Sequence, residues 1–360
     1  MLGRPMLRSA SLAALLLFGG GCSLFNPLRL QPIATSVQKP SNVAVYVAVT
    51  NRGQPIDNLQ ADSFRIYENE LLLSADDTGQ RILPQEVAAY HQTLLLVDVS
   101  GESSSREPLS RAVAGFVEGV RGTQTVSVFA FDGSGKLRSL GEFNKSAERA
   151  PVDLRALAQL GASDGSRNLN GALRSGLAEL DARLARQSKP VRVGTLVVFT
   201  RGADLAGRVS QSDANQAVQD SPHEVLAVGL AEHGATLSNI GKSGVIEAQD
   251  ADSLGIAFEQ AASKTRSLYE NHYLIAYCSP ARGGTRRLKV EVRFRDEEGD
   301  DYVASFSKDF DATGFGPDCR ADAPPRFVAQ ASASDPKPRP VSRVGAGRVV
   351  PPPDEPGYAP

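Results

Sequence analysis

The stretch TLLLVDVS, Thr93 to Ser100, constrains the fold more than any other part of the chain. An apolar run with no polar alternation, ending abruptly on Asp98, reads as a strand buried on both faces, as in parallel sheets. The next 170 or so residues (roughly, by the lengths such strand and helix units take) repeat the pattern. In REPLSRAVAGFVEGV, residues Leu109, Ala112, Val113, Phe116, Val117 and Val120 recur at helical spacing. QTVSVFAFDG is a strand, KLRSLGEF pairs with it as a hairpin, and DLRALAQL is a short helix. NGALRSGLAELDARLARQ is a long helix with Leu173, Leu177, Leu180 and Leu184 on one stripe. VRVGTLVVFT and HEVLAVGL are further buried strands, GVIEAQD is an edge strand, and DSLGIAFEQAASKTRSLYEN is a closing helix with Asp252 or Ser253 as its cap. Buried strands alternating with crossover helices predict an α/β domain over residues 90–268. It is a doubly wound, mostly parallel sheet with helices on both faces.

The flanks read differently. NVAVYVAVT alternates, with Val43, Val45, Val47 and Val49 on one face, and reads as a half-buried strand; SFRIYENE is a second strand. After Tyr273, YLIAYC and RRLKVEVRFRDEEGDDYVASFSKDF are strands joined by an acidic turn. The expectation is a small β-sandwich built from both flanks, 41–89 and 269–320, in or beside which the α/β domain sits. Residues 22–40 show no periodicity and read as a tether. Residues 321–360 are rich in Pro, Ser and Ala and read as a disordered tail. The composition, 41% hydrophobic and 22% charged, allows a sizeable core, and a net charge of −2 argues against a nucleic-acid role.

At the amino terminus, Arg4 and Arg8 precede the apolar stretch Ala10 to Phe18, and GGG then leads to Cys22. The stretch is far shorter than the ~20 residues a spanning helix needs. The arrangement resembles a bacterial lipoprotein signal over residues 1–21, which implies lipidation of Cys22. Ser23 then implies sorting to the outer membrane. The pattern departs from the resemblance at Gly19, where Leu is usual, and an ordinary secretory signal cut after Gly21 is the alternative. Two cysteines remain, Cys278 and Cys319, each beside a turn. In an oxidising compartment they form a disulfide that clamps the last strands, or else stay free thiols.

TLLLVDVSGES, DGSRNLNGAL and LVVFTRGAD, in that order and in those strand and helix contexts, resemble the von Willebrand factor A domain across about residues 90–268. The flanking β segments resemble those that accompany this domain in bacterial secreted proteins. In that family the sheet's upper end carries a metal-ion-dependent adhesion site. Its Asp-x-Ser-x-Ser motif, a Thr and an Asp hold Mg²⁺, and a partner's carboxylate completes the shell. Here the match is partial. Asp98 and Ser100 stand in the first two positions, Glu102 replaces the second Ser, Arg167 falls on the Thr position and Arg201 on the Asp position. Arginine stays protonated and offers no lone pair. The expectation is therefore a degenerate site without metal, in which Asp98 and Glu102 form an ion network with Arg167 and Arg201. Two alternatives stand beside it. In a shifted register, Ser166 and Asp204 would join Asp98, Ser100 and Glu102 around Mg²⁺; otherwise these are separate surface charges.

No catalytic constellation emerges. Of the histidines His91, His223, His233 and His272, none has a catalytic context, and no G-x-S-x-G elbow is present. GKSG at Gly241 lacks phosphate-loop spacing, and DEEGDD at Asp296 reads as a solvated turn. The expected function is a non-enzymatic, lipid-anchored cell-envelope protein that binds no nucleic acid. Its A-like domain binds a protein partner or mediates adhesion, with no cofactor unless the register is shifted toward Mg. The alternative is a structural envelope component that binds nothing at its upper face.

Overall fold

A computed structural model describes residues 27–101, 106–144, 151–250 and 252–327. The signal segment, Cys22, Glu102 and the tail beyond residue 327 lie outside the described residues. The first flank contributes β1 (Leu28–Gln38), β2 (Asn42–Asn51), β3 (Gln54–Pro55), β4 (Phe64–Glu68), β5 (Leu71–Leu72), α1 (Ala75–Thr78) and β6 (Arg81–Leu83). The α/β unit comes next as β7 (Ala89–Asp98), α2 (Arg106–Val120), β8 (Thr125–Phe131), β9 (Arg138–Phe143), α3 (Arg155–Gln159), α4 (Leu169–Ala185) and β10 (Val191–Thr200). It continues through α5 (Gln211–Asp220), β11 (Glu224–Leu230), α6 (Gly234–Ile240), β12 (Gly244–Ala248) and α7 (Leu254–Glu270). The second flank supplies β13 (His272–Cys278), β14 (Thr285–Arg295) and β15 (Asp301–Asp311).

The α/β unit is one sheet in the order β12-β11-β10-β7-β8-β9, parallel throughout except for the antiparallel edge strand β9. The unbroken apolar run of β7 now has its cause. Leu94 and Leu96 point into a core shared with α4, α5 and α6, while Leu95, Val97 and Val99 point into a second core with α2, α3 and α7. Each fully buried leucine contributes on the order of 2 kcal/mol, so neither face of the run Leu94 to Val97 tolerates a polar residue. Helix α4 lies close to the sheet: a Cβ on Gly176 would fall 2.7 Å from Leu96 Cδ1. All five parallel strands end on the same edge, the upper face of the unit, and Asp98 is the last residue of the central strand β7.

The flanks form two antiparallel sheets, β1-β2-β13-β6 and β15-β14-β4-β5. Val43, Val45, Val47 and Val49 pack against Ile66, Val290 and Val292 in the core between these sheets. The doubly wound sheet accompanied by a sandwich from both flanks is the fold class the sequence predicts.

Several expectations need correction. Residues 28–38, read as part of a tether, are strand β1, paired along β2 from Leu28↔Asn51 to Gln38↔Asn42. The register shifts between Pro32 and Ala34, so the apolar residues of this edge strand change face midway and leave no period of two to read. Strand β2 is not half-buried. Its second face, with Ala44 and Tyr46, is covered by Ala88, Ala89 and Val191 at the base of the α/β unit. Residues 321–327, read as the start of a disordered tail, are packed. Asn42 Nδ2 donates to the Arg320 carbonyl, Ser36 Oγ donates to the Arg326 carbonyl at 2.7 Å, and Phe327 is buried in the same junction as Tyr46. Ser253 stands at the amino end of α7 but makes no side-chain cap; it exchanges hydrogen bonds with Asp250 at 2.9 and 3.0 Å. Helix α5, for which the sequence reading assigned no element, is capped by Ser210 Oγ accepting from Asp213 N at 3.0 Å. Cys278 and Cys319 are bonded as a disulfide.

Candidate functional site

The upper face is organised by three turns of one type. Asp98-Val99-Ser100, Asp132-Gly133-Ser134 and Asp164-Gly165-Ser166 each place an aspartate so that Oδ1 accepts the N–H two residues on, at 2.9, 2.8 and 2.9 Å. A short side chain that bonds its own backbone two residues ahead closes such a turn without cost to the flanking strand. Each carboxylate is then met by an arginine from a neighbouring segment: Arg167 on Asp98, Arg138 on Asp132 and Arg208 on Asp164, at 2.7, 3.1 and 3.3 Å.

Asp98 has none of its surface exposed. Its Oδ2 accepts from Arg167 Nε at 2.7 Å, from the Arg201 main-chain N–H at 2.9 Å and from Thr200 Oγ1 at 3.3 Å. Donors from two segments, the start of α4 and the end of β10, therefore converge on one oxygen, and burying the charge is tolerated because both carboxylate oxygens are hydrogen-bonded. Arg167 also reaches the Ala203 carbonyl through Nη1 at 2.9 Å, tying the start of α4 to the loop after β10. The Arg201 guanidinium does not fork onto Asp98: Nη1 donates to the Ser100 carbonyl at 3.3 Å, while the Asp98 contact is made by the main chain. Of the expected four-member network the structure thus assembles the Asp98–Arg167 pair with Arg201 alongside; Glu102 lies outside the described residues. Ser100 Oγ is buried with no hydrogen-bond partner among the described residues.

The two residues of the shifted register are engaged elsewhere. Ser166 Oγ donates to Asp164 Oδ1 at 2.7 Å. Asp204 accepts from Asn170 N at 3.0 Å and from Gly207 N at 2.8 Å, so both its oxygens serve the amino end of α4 and its own loop. A second first-turn donor of α4 is met by its cap, Asn168 Oδ1, which accepts from Gly171 N at 3.2 Å.

Asp132 extends the arrangement under the loop after β8. Burial pushes its carboxyl up, but hydrogen bonds from Ser134 and Ser163 and the charge of Arg138 outweigh that and hold it below the usual range. The bond from Ser163 N is 2.7 Å. The Ser166 hydroxyl and main-chain bonds, then Arg208, likewise hold Asp164 low.

Two further groups of this face escaped sequence reasoning. Arg106, the first residue of α2, is buried and donates through Nη2 to the carbonyls of Val99 and Gly101, at 3.0 and 3.1 Å, and through Nη1 to that of Leu160. Burial, then the charges of Arg201 and Arg138, push its pKa down. Only its place just after the Asp98 loop hinted at this role. His233 closes the turn after β11 and faces the same spot as Arg167: a Cβ on Gly202 would lie 3.0 Å from His233 Nε2 and 3.0 Å from Arg167 Nη1. Gly202 has φ 151°, so the position favours glycine twice over, by conformation and by space. His91 and His223, as expected, stand at strand starts, away from Ser100.

No family model matches the chain. No curated protein matches it. Among solved structures, a von Willebrand factor type A protein from Catenulispora acidiphila is similar over 81% of this chain and 74% of its own, at 11% identity and a TM-score of 0.39. Proximal thread matrix protein 1 from the mussel byssus is similar over 49% of this chain, at 14% identity and a TM-score of 0.39; this chain spans about half of that protein, 48%. The SpRpn10 VWA domain is similar over 48% of this chain and 95% of its own, at 8% identity and a TM-score of 0.35. None of these likenesses bears on what the upper face binds.

Proposed function

We propose that the chain is a non-enzymatic binding module of the von Willebrand factor A type, holding a protein partner at its upper face without a metal ion. The observation that carries this reading is the environment of Asp98. The place a hard cation would take beside the carboxylate is met by Arg167 Nε at 2.7 Å, and the Thr200 hydroxyl and Arg201 main-chain N–H fill the rest of Oδ2. A divalent ion needs oxygen lone pairs, and this donor set supplies protons instead. The described residues do not fit Mg²⁺. Arg167, mostly buried and paired, serves as the replacement cation.

In this reading the module is carried on the bacterial cell envelope by a lipid on Cys22, in the outer membrane. The motivating features are Arg4, Arg8, the apolar stretch Ala10 to Phe18 and the small residues before the cysteine. Labelled fatty acid incorporated into the wild-type chain but not into a Cys22→Ser variant is the expected result; label retained in the variant sinks the anchor. For the site, thermal unfolding with Mg²⁺, Mn²⁺, Ca²⁺ or chelator is expected to give one melting temperature. A bound metal at 100 times its Kd would add about 2.7 kcal/mol, a shift of several degrees. Such a shift, abolished by Asp98→Ala, would show the metal site to be alive.

A further inference from the structure

The sheet β1-β2-β13-β6 carries a channel on the face turned away from the sandwich core, beside the α/β unit. Register sets its floor. Ser36, Ala44 and Ala276 stand opposite one another on β1, β2 and β13, one row of small side chains across three strands. The next row toward one end holds Gln38 and Asn42, with Cys278 opposite Asn42. The next row toward the other end holds Ala34, Tyr46 and Leu274, which pack with Ala89 and Val191 of the α/β unit. Side chains on one face of a strand recur every second residue, so these rows follow one another along the strands.

Residues 321–327 lie in this channel. Ala321, Pro325 and Phe327 are buried and Ala323 is half-buried, whereas Asp322, Pro324 and Arg326 are exposed, so alternate side chains turn to the sheet. Among the described residues, the hydrogen bonds between channel and occupant run one way. Asn42 Nδ2 donates to the Arg320 carbonyl, Gln38 Nε2 to that of Pro324 at 3.3 Å, and Ser36 Oγ to that of Arg326 at 2.7 Å. Every polypeptide has such carbonyls, so selection falls to the inward side chains. These are two small residues near Ala44 and Ala276, then a proline, then an aromatic ring seated beside Tyr46. Proline suits its place twice over: it holds an extended shape before docking and has no N–H to leave unbonded against the sheet. Proline-containing segments docked on preformed grooves are a general mode of peptide recognition.

We propose that this channel is a docking site for an extended protein segment of the pattern small-x-small-x-Pro-x-aromatic, and that residues 321–327 fill it as a built-in competitor. This inference does not rest on the upper-face reading. Cys319, bonded to Cys278 at the head of the channel, tethers the occupant just before its first residue. So short a tether keeps the occupant's local concentration on the order of millimolar. A free segment therefore enters when the occupant's anchor is weakened, or when its own anchor is better.

The test uses the full chain and a fluorescently labelled synthetic peptide of residues 320–327, with binding read as anisotropy. The chains are the wild type and two variants that weaken the occupant's anchor, Phe327→Ala and Phe327→Leu. Leucine keeps much of the packing, so the second variant serves if the first does not fold, and circular dichroism checks both. The peptide is expected to bind a folded variant at least about tenfold more tightly than it binds the wild type. A peptide of the same composition in scrambled order is expected not to bind. Binding to the folded variants no tighter than to the wild type would overturn the docking site and leave 321–327 as packing of the junction alone. Equal binding of the scrambled peptide would overturn the pattern of the partner.

Discussion

Acid should loosen this protein at the junction between its two units before it protonates the surface carboxylates. His91 on β7 and His272 on β13 lie edge to face with ring centroids 5.1 Å apart, beneath Tyr46 of β2 and Tyr269 of α7. The Tyr46 hydroxyl meets His91 Nε2 at 2.7 Å and Gln85 at 3.1 Å, while Tyr269 donates to Glu86 at 2.9 Å. Both connections between sandwich and α/β unit pass through this cluster, one at 84–88 and one at Asn271. Burial pushes His272 down to about 4, partly offset by main-chain hydrogen bonds at Tyr269 and Leu268. Burial, then His272, push His91 well below its ordinary range. In the unfolded chain a histidine titrates near pH ~6.5. The folded state therefore binds fewer protons than the unfolded state between pH ~6.5 and about 4, and stability rises with pH across that window. The contribution of His272 is fully present above pH ~6.5 and is lost as pH falls toward 4. At about 1.4 kcal/mol per pH unit, that amounts to roughly 3 kcal/mol, with His91 acting in the same direction. The assay is denaturant unfolding followed by circular dichroism at steps across this window, with His272→Phe as the comparison. Phenylalanine keeps the stacking on Tyr46 and does not titrate. The variant should lose stability less steeply by about one proton's slope; equal slopes in the two proteins would refute the assignment of the acid sensitivity to this cluster.

Three further outcomes are expected from the packing. Asp98→Ala leaves the Arg167 guanidinium largely buried without its counter-charge and should cost about 3 kcal/mol or more in denaturant unfolding. A loss under ~1 kcal/mol would mean that the pair is solvated. Cys278 and Cys319 are separated by 41 residues, so reduction should lower stability by about 4 kcal/mol through the freed unfolded chain, measured as a fall in the unfolding midpoint with reductant. Phe327→Ala empties a buried place between Tyr46, Ala88 and Val191 and should cost about 3 kcal/mol; truncation at residue 320 should cost no less, because it removes the whole packed strap 321–327.

The candidate site was legible in part. Asp98 and Ser100 could be named because they close an apolar run at a strand's carboxyl end, where a parallel sheet gathers its loops, and Arg167 and Arg201 because they fall on motif positions of the family the sequence resembles. Which atom meets which could not be named. Arg201 contributes its main chain to Asp98 and its guanidinium to Ser100 O, and no residue type announces that choice. His233 carried no signal and Arg106 only its place after the Asp98 loop, since a histidine in a turn and a cation at a helix start are ordinary surface residues until the loops fold together.

The sequence by itself determined the class of the long, periodic elements. Period and run length are local properties: an apolar run such as Leu94 to Val97 needs cover on both faces, and a leucine stripe every three or four residues needs one wall to pack on. Tertiary structure alone decided the rest. Whether Ala44 and Tyr46 face water or a second unit depends on what arrives from more than forty positions away, and the strand reads the same either way. Strand β1 exists because β2 offers it ten residues of backbone pairing; its own side chains, interrupted at Pro32, would not hold it extended. The residues 321–327 pack because the junction has a place for Phe327, not because their composition favours order. Hydrogen bonding to a distant backbone and burial against a distant surface are free energies of the assembled chain, and no window along the sequence contains them.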